Sequence, residues 1–203
     1  MIKETFLSTC ITVTLLCQIL NVSSGNRSQL INEYVHKPNI ETEIETEIDD
    51  TMDVFFDDYK TRAQVYLDRD VFIGTPITGK ILSACAKTTY DSTGVIVPLE
   101  LALSQAQLES GMGRKGLSPE TNPYNVGEWD QGTMWTFSNT KQGVQAYFNL
   151  IAKDYMLNKT LTDLLKNFVN TNGHRYASST NYETKLTNQC SYIQRWIDNN
   201  ITT

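Results

Sequence analysis

The chain of 203 residues is 40% hydrophobic and 20% charged, which excludes collagen-like, wholly disordered and multi-span membrane proteins and predicts one globular domain. Its formal net charge of −6 argues against nucleic acid as a partner, because binding to a phosphate backbone requires clustered Lys and Arg. The charge is uneven: residues 1–58 carry 3 basic and 11 acidic side chains, and residues 59–203 carry 14 and 12. The predicted domain is therefore slightly basic and compatible with an anionic polymer.

Residues 1–24 have the features of a secretory signal peptide. Lys3 precedes an apolar run over residues 6–22, and small residues end it. Polar residues interrupt the run, which makes it a poor membrane span. We therefore expect export to the periplasm or the exterior with removal of this segment. A lipid anchor on Cys17 is the alternative.

Residues 25–52 are predicted to form an acidic disordered tether. The sequence Glu-Thr-Glu-Ile occurs twice, and nine acids lie between Glu41 and Asp58 without a basic residue. A segment with this much charge buries too little apolar surface to fold by itself. The competing interpretation is a helix with three isoleucines on one face: Ile40, Ile44 and Ile48.

Two cysteines, Cys85 and Cys190, lie outside the predicted signal. In an exported protein they can pair, and two separately buried thiols are the equal alternative. They lack metal-ligand spacing with His36 and His174. We expect no structural zinc and no cofactor.

Residues 53–203 show mainly helical periodicity. The first helix begins at Asp53, and five of its residues share one face: Phe55, Tyr59, Ala63, Tyr66 and Asp70. The second helix has Thr75 as its predicted N-terminal cap and Pro76 as its first residue, and it ends near Tyr90.

The C-terminal part combines a loop with further helices. Residues 114–139 are rich in Gly, Pro and Asn and predict a long loop with a short hairpin that turns near residues 130–132. Thr160 and Asp163 form a capping-box pattern. Two apolar stripes predict helices: Val144, Tyr147, Phe148, Ile151 and Tyr155, then Tyr182, Leu186, Ile193, Trp196 and Ile197. The fold class predicted is mainly α with one loop-and-hairpin insertion.

Glu109 is the acidic residue best suited to chemistry. A third helix from Pro98 stops at Ser110 and Gly111, so Glu109 lies in the last turn, where the helix dipole disfavours an anion. Apolar neighbours such as Leu108 disfavour the charged form as well. Both effects raise the pKa and suit a carboxylic acid that donates a proton. The alternative is an exposed glutamate at a helix end.

The segment after Glu109 combines a turning backbone with polar and aromatic side chains. Three glycines, Gly111, Gly113 and Gly116, allow sharp turns beside the acid. Amides, carboxylates and rings follow over residues 122–135, a mixture that lines saccharide grooves, where rings pack on sugar faces and amides bond to hydroxyl groups. Packing in a core is the alternative for each ring.

Residues Leu101 to Gly113, LALSQAQLESGMG, resemble the catalytic-helix motif of the bacterial glucosaminidase family of peptidoglycan hydrolases. Residues 122–127, NPYNVG, are similar to the segment that follows this motif in the family. Residues 175–186, RYASSTNYETKL, are similar to the family's Tyr-Ala-Thr-Asp-Pro-Asn-Tyr block. The resemblance departs from the family at Met112, where Trp is frequent, and at residues 179–180, which replace Asp-Pro.

The resemblance implies a lysozyme-like α+β fold with a small hairpin and loop lobe over residues 53–203. It implies an exported enzyme, expected to be a monomer, that cleaves β-1,4 bonds in the glycan strands of peptidoglycan, in the manner of an endo-β-N-acetylglucosaminidase. By this resemblance Glu109 is the general acid and Tyr176 lies close to it. A glycosidase normally needs a second carboxylate, and the loop or hairpin expected to face Glu109 offers two: Glu128 is preferred, and Asp130 is the alternative. The other predicted site residues bind substrate: Gln105, Tyr124, Asn125, Trp129, Asp130 and Tyr182.

Three other functions stay open. A lytic transglycosylase shares the lysozyme-like fold and a single Glu, and forms an anhydro sugar. A non-catalytic glycan-binding protein is motivated by Met112. A secreted inhibitor or adaptor would use residues 41–58 as its active part.

Overall fold

The computed structural model describes residues 38–116, 120–128 and 133–201. The predicted signal peptide lies outside the described residues, as do Trp129 and Asp130. The chain divides into two compact units between Val54 and Phe55.

The described part of the N-terminal unit belongs to helix α1, Pro38–Leu67. Residues 38–52, predicted to be disordered with a helix as the alternative, are therefore helical. Glu41 lies in the first turn of α1, where the positive end of the helix dipole favours its negative charge. The helix that was the competing interpretation of this segment is the structure that forms.

The second unit is mainly helical, as predicted. Helix α1 continues into the second unit and ends there at Leu67. The second unit also contains these elements: a 3₁₀ turn (Asp70–Phe72), α2 (Gly79–Thr93), α3 (Leu99–Ser110), β1 (Gly127–Glu128), β2 (Thr133–Met134), α4 (Thr140–Leu150), a π-helical continuation (Ile151–Tyr155), α5 (Leu161–Lys166) and α6 (Tyr182–Asn200). Strands β1 and β2 pair antiparallel, which confirms the hairpin. No helix in the described ranges has the length and apolar character needed to cross a membrane.

Helix α3 lies at the centre of the second unit. It packs along α6, while α2 packs along α4. Most of its side chains are buried on every face: Leu99, Leu101, Ala102, Leu103, Ser104, Gln105, Ala106 and Ser110. A helix that is covered all round belongs to the core. Toward its C-terminal end, Leu108 is exposed and Glu109 is half-buried, so α3 brings a carboxyl group from the core to the surface.

Two predicted details of the first helices are wrong. Phe56 is 3% exposed and Phe55 is 36% exposed, so Phe56 and not Phe55 belongs to the buried face of α1. Asp70 is exposed beyond the end of the helix. The cap of α2 is Thr78, whose Oγ1 accepts a hydrogen bond from Ile81 N–H at 3.2 Å. Thr75 is instead used by the tertiary structure: its Oγ1 donates to the carbonyl oxygen of Met112.

The two cysteines are separate buried thiols. Cys85 Sγ lies 3.7 Å from the carbonyl oxygen of Lys141, and Cys190 Sγ lies 3.6 Å from that of Glu100. Burial raises the pKa of Cys85 to about 12 and that of Cys190 to about 11. Both thiols are therefore poor nucleophiles at neutral pH.

Gly143 of α4 packs directly on the loop that precedes the hairpin. A Cβ atom at this position would overlap the carbonyl oxygen of Thr121 and lie 3.2 Å from the Cα of Asn122. We expect Gly143→Ala to lower the free energy of unfolding by about 1–3 kcal/mol. Urea unfolding measures this. Lys141 is exposed in the same helix, and Lys141→Ala should change the free energy of unfolding by less than about 0.5 kcal/mol. A gain in stability for Gly143→Ala, as helix propensity alone predicts, would contradict the close packing.

Candidate active site

Glu109 lies in the last turn of α3, which Gly111 ends in a left-handed conformation with φ of 56°. Tyr182 Oη donates a hydrogen bond to Glu109 Oε1 at 3.3 Å, and Asn125 Nδ2 donates to the Glu109 carbonyl oxygen at 2.8 Å. Burial raises the pKa of the Glu109 carboxyl above its usual value, and hydrogen bonds from Tyr182 and Asn125 oppose that rise. The protonated form of Glu109 is therefore favoured relative to an exposed glutamate.

A second glutamate of α3 shows that a raised pKa does not by itself mark the site. Burial also raises the pKa of Glu100, in the first turn of the same helix, and Arg62 opposes the rise. Glu109 differs in its surroundings, because it receives a tyrosine hydrogen bond and adjoins the loop. Glu100 is for this reason a matched reference for experiments on Glu109.

Three side chains form a chain of hydrogen bonds that ends on Glu109. Tyr147 Oη donates to Gln105 Oε1 at 2.6 Å, Gln105 Nε2 donates to Tyr182 Oη at 2.9 Å, and Tyr182 Oη donates to Glu109. Gln105 and Tyr147 are fully buried, and Tyr182 is 8% exposed. Gln105 is predicted to bind substrate, and in this structure its side chain has no solvent-facing surface.

Tyr176 is half-buried and stacks on Tyr182 with ring centroids 5.6 Å apart. Burial raises its pKa well above the usual value, and the negative charge of Glu109 adds to that rise. Tyr176 thus lies within electrostatic range of Glu109. The hydrogen bond to the carboxyl comes from Tyr182, a residue that sequence reasoning assigned to substrate binding.

Ser110 joins the end of α3 to the loop. Its Oγ donates to the carbonyl oxygen of Pro123 and accepts a hydrogen bond from Gly113 N–H at 2.7 Å. The glycine turn and the segment before the hairpin are thereby held against the residue next to Glu109. Sequence reasoning noticed the glycines and missed Ser110, because a serine at a helix end has many ordinary roles.

Asn122 holds the loop to the hairpin. Its Nδ2 donates to the carbonyl oxygens of Val126 and Trp135, both at 2.9 Å, and its Oδ1 accepts from Val126 N–H at 2.8 Å. Asn122 is fully buried, so its two bonds to Val126 are shielded from water, while the bond to Trp135 is part-buried. The amide that anchors this loop was present in the sequence motif without an assigned role.

The other predicted binding residues divide into buried, surface and undescribed groups. Tyr124 is 1% exposed and stacks on Tyr147 with ring centroids 3.6 Å apart, so its ring has almost no solvent-facing surface. Asn125 is half-buried beside Glu109. Trp135, which was not assigned to the site, is 47% exposed at the end of the hairpin. The backbone of Glu128 forms β1, and its side chain lies outside the described residues.

Met112 is fully buried, so this position faces the core and provides no surface contact of the kind expected for Trp there. In the described ranges, no three or more His, Cys, Asp or Glu side chains are grouped so that they could hold a metal ion. Comparison with protein-family models, with curated proteins and with solved structures finds no match for this chain. Its function is therefore inferred from its own residues and their geometry.

Proposed function

We propose that this chain is an exported glycoside hydrolase of lysozyme-like fold that cleaves β-1,4 glycosidic bonds in peptidoglycan, as an endo-β-N-acetylglucosaminidase, with Glu109 as general acid. The observation that carries the proposal is the carboxyl of Glu109, half-buried at the end of a core helix and hydrogen-bonded by Tyr182. In this proposal the enzyme binds glycan strands outside the cytoplasm and acts as a monomer without a cofactor.

The chemistry begins with neutral Glu109. Its proton passes to the glycosidic oxygen as the bond to the anomeric carbon breaks, and the sugar develops oxocarbenium character. Glu109 then carries the negative charge, which the O–H of Tyr182 stabilises as a charge-assisted hydrogen bond. Water completes hydrolysis with help from a second group, for which Glu128 is the candidate. In that case the separation of the carboxyls, about 5 Å or about 6.5–9.5 Å, determines retention or inversion.

Incubation of the purified chain with purified cell walls tests the proposal. Release of reducing sugar ends, with fragments whose mass includes one added water per cut, would support hydrolysis. Fragments that end in N-acetylglucosamine would identify the bond. Intact walls to which the protein stays bound would instead support a non-catalytic glycan-binding protein and overturn the enzyme assignment.

A lytic transglycosylase is the second candidate, favoured by one observation. Among the described residues, the side chains that hydrogen-bond to Glu109 are Tyr182 and Asn125, and neither is a carboxylate. An enzyme with one acid can use it first to protonate the leaving oxygen and then to take a proton from a sugar hydroxyl. Anhydro products, lighter than hydrolysis products by one water, would show this reaction.

The activity should decrease as pH rises through the pKa of Glu109, because only the protonated carboxyl donates a proton. Burial raises this pKa, so the decrease should occur at higher pH than for an ordinary glutamate, whose pKa is about 4.3. Initial rates of reducing-end release across the acidic and neutral range measure it. This decrease on the high-pH side is the alkaline limb of the pH profile. Glu100→Gln, which removes the other half-buried carboxyl of α3, should leave the alkaline limb at the same pH. An alkaline limb at a pH below the pKa of an ordinary glutamate would contradict the role of Glu109.

A further inference from the structure

The side chain of Gln105 has a donor end and an acceptor end, and the two ends have different partners. Oε1 accepts from Tyr147 at 2.6 Å, and Nε2 donates to Tyr182 at 2.9 Å. A phenol O–H carries a single proton. Tyr147 donates this proton to Oε1 of Gln105, so the amide oxygen of Gln105 faces Tyr147 and the amide nitrogen faces Tyr182.

The orientation of Gln105 determines what Tyr182 can do. An amide N–H is a donor only, so the oxygen of Tyr182 must accept from it. The single proton of Tyr182 is then free for Glu109 Oε1, which lies 3.3 Å away. A reversed amide would present its oxygen to Tyr182 and compete with Glu109 for that proton.

We propose that Tyr147 and Gln105 are positioning residues that fix the hydroxyl proton of Tyr182 on Glu109. The inference rests on the proposed function for its catalytic meaning. In that function the hydrogen bond from Tyr182 to Glu109 is needed most after Glu109 has lost its proton, because the half-buried carboxylate then has to be stabilised. Burial of Gln105 and Tyr147 keeps water from supplying alternative donors and acceptors.

The test is the titration of Glu109, followed by NMR of the ¹³C-labelled side-chain carboxyl in the full chain, with the resonance assigned by its loss in Glu109→Gln. Tyr182→Phe removes the donor and should raise the pKa of Glu109. Tyr147→Phe should raise it in the same direction, because Gln105 can then turn its oxygen toward Tyr182. Tyr124→Phe is the matched control: Tyr124 stacks on Tyr147, and its buried hydroxyl has no hydrogen-bond partner among the described residues.

Equal titration of Tyr147→Phe and Tyr124→Phe would overturn the proposal. If Tyr147→Phe does not fold, the wild-type chain supplies a second measurement. Nuclear Overhauser contacts from the Gln105 amide protons to the Tyr182 ring support the orientation, and contacts to the Tyr147 ring in their place overturn it.

Activity on cell walls adds a separate result. Tyr147→Phe should lower the rate at least about tenfold, because Tyr182 would then lose its hydrogen bond to charged Glu109, and tenfold is the lower end of the usual effect of such a loss. It should also move the decrease of activity with pH to higher pH. Tyr124→Phe should leave the limb unchanged. If the wild-type chain does not cleave cell walls, the proposed function fails, while the titration still decides whether Tyr147 and Gln105 orient Tyr182.

Discussion

Replacing Glu109 with Gln is expected to lower release of reducing ends from purified cell walls by about 10²–10⁴-fold, the contribution typical of a general acid. The amide has nearly the size of the carboxyl and keeps an oxygen that can accept the hydrogen bond from Tyr182. It cannot donate a proton to a leaving oxygen as a carboxylic acid does. The substitution therefore removes the proposed chemistry with little change in packing.

The control for this experiment is Glu100→Gln. Glu100 lies on the same helix, and burial raises its pKa too, but its place is in the first turn, away from the loop. Its replacement should preserve activity within about threefold. Equal losses in the two variants would assign the effect to the stability of α3. Full activity of Glu109→Gln would remove Glu109 from the mechanism.

Replacing Asn122 with Ala is expected to lower the free energy of unfolding by about 3 kcal/mol, because one buried and one part-buried backbone group lose a partner at about 1–3 kcal/mol each. The groups are the N–H of Val126 and the carbonyl oxygen of Trp135. The third partner, the carbonyl oxygen of Val126, still accepts from Trp135 N–H. Urea unfolding followed by circular dichroism measures the change.

The exposed Asn172 provides the reference for this substitution. Asn172→Ala should change the free energy of unfolding by less than about 0.5 kcal/mol. The Asn122 variant should also lose activity at temperatures where it remains folded, since Asn122 holds the loop from which Asn125 contacts Glu109. A stable and fully active Asn122→Ala chain would show that the loop is held by other contacts.

Local pattern was sufficient for the helices of the second unit. The capping box of Thr160 and Asp163 forms as predicted, and helix α3 ends at the glycine expected to stop it. Both features depend on hydrogen bonds within one turn, so neighbouring residues contain the required information. Phe55 and Thr75 were misassigned because a residue of the same type lies within three positions of each, and local pattern does not distinguish the two. Tertiary packing buries Phe56 in place of Phe55, and Thr78 caps α2 in place of Thr75.

The sequence by itself determined that the chain is mainly helical and that Glu109 lies in the last turn of the third helix, because helical periodicity and end signals are local. Only the tertiary structure decided how the surroundings of Glu109 are used. Gln105 and Tyr182 are 77 positions apart, and Gln105 and Tyr147 are 42 apart. Periodicity marks a side chain as apolar or polar but does not state its partner. The packing of α3 against α6 and the burial of Tyr147 therefore placed Gln105 between Tyr147 and Tyr182, without solvent-facing surface.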